Sequence, residues 1–101
     1  MRGEMKVKAI KMNPKDNVAT AIDDVESGEV IGVKNDEVFE IQVLQEIPFG
    51  HKFALRDIAK GEEIVKYGEV IGRATAEIRK GEHVHVHNVE SLRGRGDLRR
   101  L

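Results

Sequence analysis

Three of the four histidines in this chain lie within five residues, at alternate positions. The segment from Gly81 to Asn88 reads GEHVHVHN and carries His83, His85 and His87. On an extended strand, alternate side chains share one face and stand about 7 Å apart, so we expect the imidazoles together, opposite the two valines. Imidazole ligates metals and transfers protons near neutral pH. The spacing therefore predicts a metal or proton-transfer site, against the equally weighted alternative of a solvated strand face.

Two other short segments place cations beside glycine turns. His51 and Lys52 follow a Pro-Phe-Gly turn, and Lys66 and Tyr67 precede Gly68. Binding groups concentrate where loops meet a rigid scaffold. Such residues would suit a small polyanionic, hydroxyl-rich ligand, because lysine pairs with carboxylate, tyrosine and asparagine bond hydroxyls, and histidine moves protons. Exposed turn residues without a ligand are the alternative. The set that would meet there is His51, Lys52, Lys66, Tyr67, His85, His87 and Asn88.

The third ligand of such a metal site has several candidates. His85 and His87 could bind one metal from a strand, and a catalytic metal usually takes a third protein ligand. His83, Asp16 or a partner chain could supply it. The chain has no cysteine, which excludes thiolate metal sites and a cysteine nucleophile. It also lacks a phosphate-binding glycine loop and the HExxH and GxSxG motifs.

Composition narrows the class of protein. The 101 residues fit one domain with a modest core, so a site would be shallow or shared with a partner. The net charge of −1, with 35% charged residues of both signs, argues against nucleic-acid binding. No apolar run of about 15–20 residues occurs, which argues against a membrane span or a secretory signal. We therefore expect a cytoplasmic protein.

The apolar pattern predicts a mainly β fold with one N-terminal helix. Helical spacing from Val18 to Val25 predicts the helix, with Asp16 and Asn17 as its cap and Gly28 as its stop. Elsewhere short apolar runs alternate with turn residues, which is typical of a compact all-β body. Asn35-Asp36 predicts a hairpin. The expected strands are 5–10, 30–33, 38–44, 52–55, 64–65, 70–74 and 83–87.

An internal repeat connects two of these regions. Residues 57–64 match residues 77–84 at an offset of 20, as acid-Ile-x-Lys-Gly-Glu-x-aliphatic. We interpret this as one turn geometry used twice, with glycine at positive φ, which leaves Lys60, Lys80, Glu62 and Glu82 solvated. Residues 93–101 are rich in Arg and Gly and predict a flexible tail after a domain spanning 1–92.

The motifs from Gly50 to Asn88, GHKFALRDIAKGE, KYGEVIGRAT and IRKGEHVHVHN, strongly resemble the N-terminal domain of the altronate/galactarate dehydratase family. The early segment NPKDNVA is also similar, so the resemblance covers about residues 5–92. It implies a SAF domain with the β-clip fold. The family often places an aromatic residue at the position of His83, so the resemblance sets His83 aside and leaves His85, His87 and Asn88.

In fused members of this family the small domain precedes a large catalytic domain that dehydrates sugar acids with a divalent metal, iron or manganese. Because this chain ends at Leu101, the resemblance implies a small subunit that is inactive alone and works with a separate large subunit. Two-subunit relatives include sulfolactate sulfo-lyases, so sulfolactate is an alternative substrate. A stand-alone carbohydrate- or metal-binding module without catalysis, and a homo-oligomer, are further alternatives.

The resemblance also suggests roles for the candidate residues. Lys52 and Lys66 would hold the substrate carboxylate, and Tyr67 and Asn88 would orient hydroxyls. Catalytic proton transfer would fall to His51, His85 and His87, with His85 and His87 as metal ligands. Asp16 and Asn17 match the family as well, but we interpret them as the helix cap.

Overall fold

Short strands make up the regular structure of this protein. The computed structural model describes residues 6–92, which contain nine strands and no helix. The prediction of a mainly β fold is therefore confirmed. The strands are β1 (Val7–Ile10), β2 (Val18–Ala21), β3 (Val30–Lys34), β4 (Val38–Gln42), β5 (Lys52–Ala54), β6 (Glu63–Lys66), β7 (Glu69–Ala74), β8 (His83–Val84) and β9 (Val89–Ser91).

The strands form two sheets. One has six strands in the order β4-β3-β1-β2-β5-β8, and the other has three in the order β6-β7-β9. Only β1 and β3 pair in parallel; the other named pairs are antiparallel. The predicted hairpin at Asn35-Asp36 is confirmed, because β3 and β4 pair antiparallel from Lys34–Val38 to Val30–Gln42.

The predicted N-terminal helix is wrong, since Val18–Ala21 is strand β2. This strand is central in its sheet, between β1 and β5, and both of its faces are buried, because Ala19 and Ala21 pack in one core cluster and Val18 in the other. A strand buried on both faces loses the polar-apolar alternation by which strands are recognised. Val25, the last apolar residue of the supposed helix, instead forms an isolated bridge with Ile47.

The apolar core has two clusters. One lies around Ala9, Ile31 and Phe53, and the other around Ile58, Ile64 and Val84. Strands β2 and β5 contribute to both clusters, because Ala19 and Phe53 belong to the first, whereas Val18 and Ala54 belong to the second. Packing against both clusters therefore fixes the position of β5, and His51 lies just before its first residue.

The repeated turn is confirmed, and it occurs four times within residues 6–92. Gly61 and Gly81 both have positive φ, 89° and 88°, and the backbones of Ile58 and Ile78 exchange hydrogen bonds of 2.7 and 2.8 Å. Val25 and Ile47 exchange the same pair of bonds, at 2.9 and 2.8 Å, and their turns also contain a positive-φ glycine. The domain therefore uses two facing pairs of one turn, of which sequence analysis found one pair.

Two further predictions concern the C-terminal tail and membrane-spanning segments. Residues 1–5 and the predicted tail at 93–101 lie outside the described residues. Between residues 6 and 92 the chain forms no helix with the length and apolar character to cross a membrane.

Candidate functional site

Three histidines from distant parts of the chain meet at one edge of the larger sheet. Strands β5 and β8 pair antiparallel, which places His83 opposite Phe53 and brings His51, just before β5, to the same place. Nδ1 of His51 lies 2.9 Å from Nε2 of His83. The ring centroids are 5.1 Å apart for His51–His83, 4.4 Å for His51–His85 and 5.5 Å for His83–His85.

The predicted strand through the histidine segment is wrong beyond Val84. Strand β8 contains only His83 and Val84, and the chain turns over the following residues. Val86 is consequently 81% exposed instead of lying on a buried opposite face. His87 is exposed, and its ring lies 5.4 Å from that of His83 at a tilt of 37°. The structure thus places His83, rather than His87, with His51 and His85.

Asn88 organises the turn that carries these histidines. Its Oδ1 accepts a hydrogen bond from the His85 backbone N–H at 3.0 Å, and its Nδ2 donates to the His83 carbonyl at 2.9 Å. Only 4% of the residue is exposed. Both the oxygen and the nitrogen of the amide are therefore hydrogen-bonded to the backbone. Asn88, which was predicted to bind substrate, supports the backbone of His83 and His85.

The position of His51 follows from the repeated turn. In three of the four turns, the residue after the positive-φ glycine is a glutamate whose carboxylate accepts a hydrogen bond from its own turn. These residues are Glu29, Glu62 and Glu82. His51 occupies the same place after Gly50, and its side chain reaches His83 instead of closing the turn. The scaffold therefore directs this one side chain outward to the cluster.

An open cleft of about 390 Å³ adjoins the histidines. It contains Lys52, Lys66, Tyr67 and His85, four of the residues that the sequence predicted to share a site. The Lys66 Nζ atom lies 5.0 Å from the centre of the Tyr67 ring, and Tyr67 is 56% exposed. The floor is apolar, formed by Ile71, Val84 and Val89, with Val86 and Ser91 completing the lining.

Asp16 and Asn17 hold the hairpin that presents Lys66 and Tyr67. The Asp16 carboxylate, 5% exposed, accepts the N–H groups of Tyr67 at 3.1 Å and Gly68 at 2.8 Å. Both turn residues have positive φ, 58° and 73°, as a two-residue type I′ hairpin turn requires.

Asn17 acts on strand β6 in the same hairpin. Its side chain bonds the Glu63 carbonyl and the Val65 N–H, at 2.9 and 2.8 Å. The two residues that we interpreted as a helix cap are therefore clamps between β2 and the β6–β7 hairpin, and the cap interpretation is wrong.

The electrostatic surroundings of the site are cationic. Burial first, and then the neighbouring imidazoles and the Lys52 amine, lower the pKa of the His83 imidazole to about 4. The pKa of His85 is lowered by burial and then by His51, Lys52 and His87. Burial, followed by the charge of Lys66, lowers the pKa of Lys52. Over residues 6–92 no carboxylate pairs with Lys52 or Lys66, so an anionic ligand would be attracted here.

The residues present fit a divalent metal ion. One nitrogen from each of His51, His83 and His85 lies within 4.8 Å of the others. Nitrogens at about 2.0–2.1 Å from one metal are themselves roughly 3 Å apart, so rotation of the stacked rings would be needed to bring all three into range. A lowered pKa keeps His83 and His85 in the neutral form that ligates.

Sequence reasoning found most of this site but set aside one of its members. His83 was demoted on the family resemblance, although the alternating pattern itself included it. Its link to His51 spans 32 residues and depends on the pairing of β5 with β8. The roles of Asp16 and Asn17 carried no local signal, because their partners lie 46 to 52 residues away.

Comparison with known proteins identifies the domain. The model of the altronate/galactarate dehydratase SAF domain matches residues 7–92. Altronate dehydratase of Escherichia coli K12 is 46% identical over 82 residues, which are 81% of this chain and 16% of that enzyme. The alpha subunit of (2R)-sulfolactate sulfo-lyase from Chromohalobacter salexigens is 43% identical over 75 residues, covering 71% of this chain and 80% of that subunit.

Galactarate dehydratase (L-threo-forming) of Escherichia coli K12 is 40% identical over 75 residues, 74% of this chain and 14% of that enzyme. The chain thus spans less than a fifth of the dehydratases that it matches, but most of the sulfo-lyase subunit. The family match covers the whole described fold, including the histidine cluster and the cleft. The chain belongs to the altronate/galactarate dehydratase SAF domain family.

Proposed function

We propose that the chain is the small subunit of a two-subunit sugar-acid lyase, and that its histidines and lysines form half of an active site completed by a large subunit. The observation that carries this proposal is the position of His85, which lines the cleft with Lys52 and Lys66 and also belongs to the three-histidine cluster. Groups that bind an anion and groups that move a proton are therefore adjacent.

The two lysines suit the substrate carboxylate. Lys52 and Lys66 line the same cleft, and their positive charges repel each other. An anion bound between the two amines would relieve this repulsion. Lys52 is half-buried, which strengthens its pairing with an incoming carboxylate relative to a fully solvated amine. The exposed Tyr67 hydroxyl can bond a substrate hydroxyl on the open side.

Histidine supplies the proton-transfer step. Dehydration removes the proton α to the carboxylate and expels the β-hydroxyl, which needs one base and one acid. The lowered pKa of His85 favours its neutral ring, which could take the proton directly when its nitrogen holds no metal, and His85 adjoins the lysines. His51 and the exposed His87 can return a proton to the leaving oxygen. A divalent metal, iron or manganese by the family resemblance, would supply Lewis-acid stabilisation of negative charge when bound.

A large subunit would close the site. The cleft is open, and two of its rim residues, Val86 and Tyr67, are 81% and 56% exposed. Exposed apolar surface bordered by polar residues is typical of surfaces that a partner covers. The similar sulfolactate sulfo-lyase chain is itself called subunit alpha, and the matched region covers 80% of it. We further propose that the curled sheets correspond to the β-clip that the resemblance implies.

Reconstitution tests this function. The chain would be co-expressed with a dehydratase-like large chain encoded beside it, and the purified complex assayed on altronate, galactarate and sulfolactate. We expect turnover by the complex and none by this chain alone. Lys66→Met should raise KM for the acid, whereas Lys60→Met, on a solvated turn, should leave KM unchanged. Failure to bind any large chain, or no lyase activity in any combination, would refute the proposal.

Elimination of sulfite is the second candidate, favoured by the 80% coverage of the sulfo-lyase subunit. It would use the same residues, because sulfolactate also carries a carboxylate beside the carbon that loses its proton. The assay separates the two candidates through the product released, sulfite or water.

A further inference from the structure

We propose that His51, His83 and His85 form a three-imidazole metal site that belongs to this chain alone and binds a first-row transition ion such as Zn²⁺, Fe²⁺ or Co²⁺ without a large subunit. The inference goes beyond the proposed function, because it concerns the isolated chain. Only the link between this metal and turnover rests on that function.

The nitrogen positions carry the proposal. The 2.9 Å between His51 Nδ1 and His83 Nε2 is the separation of two ligands at a right angle around a metal at roughly 2.05 Å. The ligating nitrogen of His85 lies within 4.8 Å of both. The three rings are stacked, at 10° to 24° to one another, so their in-plane lone pairs lie in nearly parallel planes and the rings must rotate for all three to bind one metal.

The backbone holds all three residues before any metal arrives. The His51 N–H donates to the Pro48 carbonyl at 3.0 Å, and the His51 carbonyl accepts from Ala21 at 2.9 Å. The His83 N–H donates to the Gln45 side chain, and the His85 N–H donates to Asn88. Fixing the ligand backbones in advance reduces the entropy lost on binding, which favours a real site over a chance approach of side chains.

The departure from the repeated turn is an independent observation. Glutamate closes three of the four turns, and a histidine stands only in the turn that faces His83 and His85. In the other turns the glutamate accepts the N–H three residues earlier, but here that residue is Pro48, which has no N–H to donate. The chain instead places a metal-ligating side chain at the one copy where two other imidazoles lie within reach.

The donor set defines the class of metal. Three imidazoles and no carboxylate within the group suit Zn²⁺, Fe²⁺, Co²⁺ and Ni²⁺, whereas Mg²⁺ and Ca²⁺ prefer oxygen ligands. Mn²⁺ stands lowest in the affinity order of the first-row ions and should bind more weakly than Co²⁺ or Zn²⁺. Three protein ligands leave a coordination position open, as in catalytic sites. His85 also lines the cleft, so a metal bound there would lie beside it.

The experiment uses the tag-free full chain. Calorimetric titrations with Zn²⁺, Mn²⁺ and Mg²⁺ would be combined with Co²⁺ absorption spectra, which report coordination number. We expect one Zn²⁺ or Co²⁺ per chain, weaker Mn²⁺ binding and no Mg²⁺ binding. His51→Asn, His83→Asn and His85→Asn should each weaken Co²⁺ binding at least about 100-fold, since loss of a supporting outer residue alone weakens binding 10- to 100-fold. His87→Asn should retain it.

A second measurement uses the wild-type chain and so tests the site even if the substituted variants fail to fold. In the wild-type chain, paramagnetic Co²⁺ should broaden the ring NMR signals of His51, His83 and His85 before that of His87. Absence of Zn²⁺ and Co²⁺ binding, or binding that survives His51→Asn but not His87→Asn, would overturn the site. Metal binding by the isolated chain with an inactive complex would refute the proposed function and leave the metal site standing.

Discussion

His51 and His83 lie 32 residues apart in sequence, yet Nδ1 of the first is 2.9 Å from Nε2 of the second. In the metal-free chain one ring must donate a proton and the other accept it, because two N–H groups or two lone pairs would repel. This contact joins the turn before β5 to the β8 segment. It connects the part of the chain that the repeated turn positions with the part that the alternating histidines occupy.

Asn88 should be required for both stability and metal affinity. Asn88→Ala leaves the His85 N–H and the His83 carbonyl without their partner, which should lower the free energy of unfolding by about 1–3 kcal/mol. Co²⁺ affinity should fall 10- to 100-fold, as for other residues that support ligands. Urea denaturation and Co²⁺ titration would measure these changes. Asn35→Ala, in the exposed hairpin, is the control, and equal effects of the two substitutions would contradict the assigned role.

Asp16 should stabilise the hairpin through its charge. Asp16→Asn keeps the size of the side chain but loses the carboxylate that accepts three N–H groups, from Asn13, Tyr67 and Gly68. Unfolding free energy should fall by roughly 2–3 kcal/mol, the range for hydrogen bonds to charged groups. Urea unfolding provides the measurement, and Asp36→Asn on the exposed β3–β4 connection provides the control. Coincident unfolding curves for Asp16→Asn and the wild type would rule out the clamp.

The two glycines of the internal repeat should differ in their tolerance of alanine. Both have φ near 88°, so each substitution carries the strain of a left-handed residue, about 1–2 kcal/mol. A Cβ at Gly61 would meet nothing within 4 Å, whereas one at Gly81 would lie 2.3 Å from the Gln42 carbonyl oxygen.

Gly81→Ala should therefore be more destabilising than Gly61→Ala by at least about 1 kcal/mol, from overpacking. Thermal unfolding of the pair measures the difference, and each variant is the other's control. If Gly61→Ala proved the more destabilising, the packing of the second turn against β4 would be incorrectly described.

Glu62 should contribute to stability at neutral pH and lose that contribution in acid. Its hydrogen bond from Arg56, and then that from the Ala59 N–H, lower its pKa below the usual 4.5. A lowered carboxyl pKa stabilises the fold above the unfolded-state value, and this stabilisation disappears as pH falls through the folded-state value. The effect should stay below about 1 kcal/mol because the pair is exposed.

Glu62→Gln should therefore flatten the acid limb of the unfolding free energy below about pH 4.5. Urea midpoints between pH 3 and 7 would measure it, with Glu63→Gln as the neighbouring control. A steeper acid limb in Glu62→Gln would reverse the sign and contradict the assignment.

Which features could be predicted from the sequence alone depends on how far apart in the chain the interacting residues lie. The positive φ of Gly61 and Gly81 and the β3–β4 hairpin follow from local residue types, and both were predicted correctly. The buried strand β2 was predicted as a helix, because core residues from elsewhere in the chain cover both of its faces, and such a strand lacks the alternation that marks a strand. Strand β9, Val89–Ser91, was missed because its sequence, VES, contains only one apolar residue.

The candidate site likewise combines residues that local sequence patterns predicted with one that depends on the whole fold. The clustering of residues at 51–52, 66–67 and 85 was inferred from turn positions and family resemblance, and four of them line one cleft. The inclusion of His83 depends on the register between β5 and β8, which pairs it with Phe53. Register between distant strands is a property of the whole fold, so no local pattern around residue 83 could have distinguished it from His87.

The most direct test of the central claim is turnover by the reconstituted complex carrying His85→Asn, because His85 alone belongs to both the cleft and the histidine cluster. We predict that kcat/KM for the sugar acid falls at least about 100-fold, the size of a lost proton-transfer group, while binding to the large subunit is unchanged. Lys60→Ala serves as the control. Turnover by the His85→Asn complex within about twofold of wild type would contradict the account.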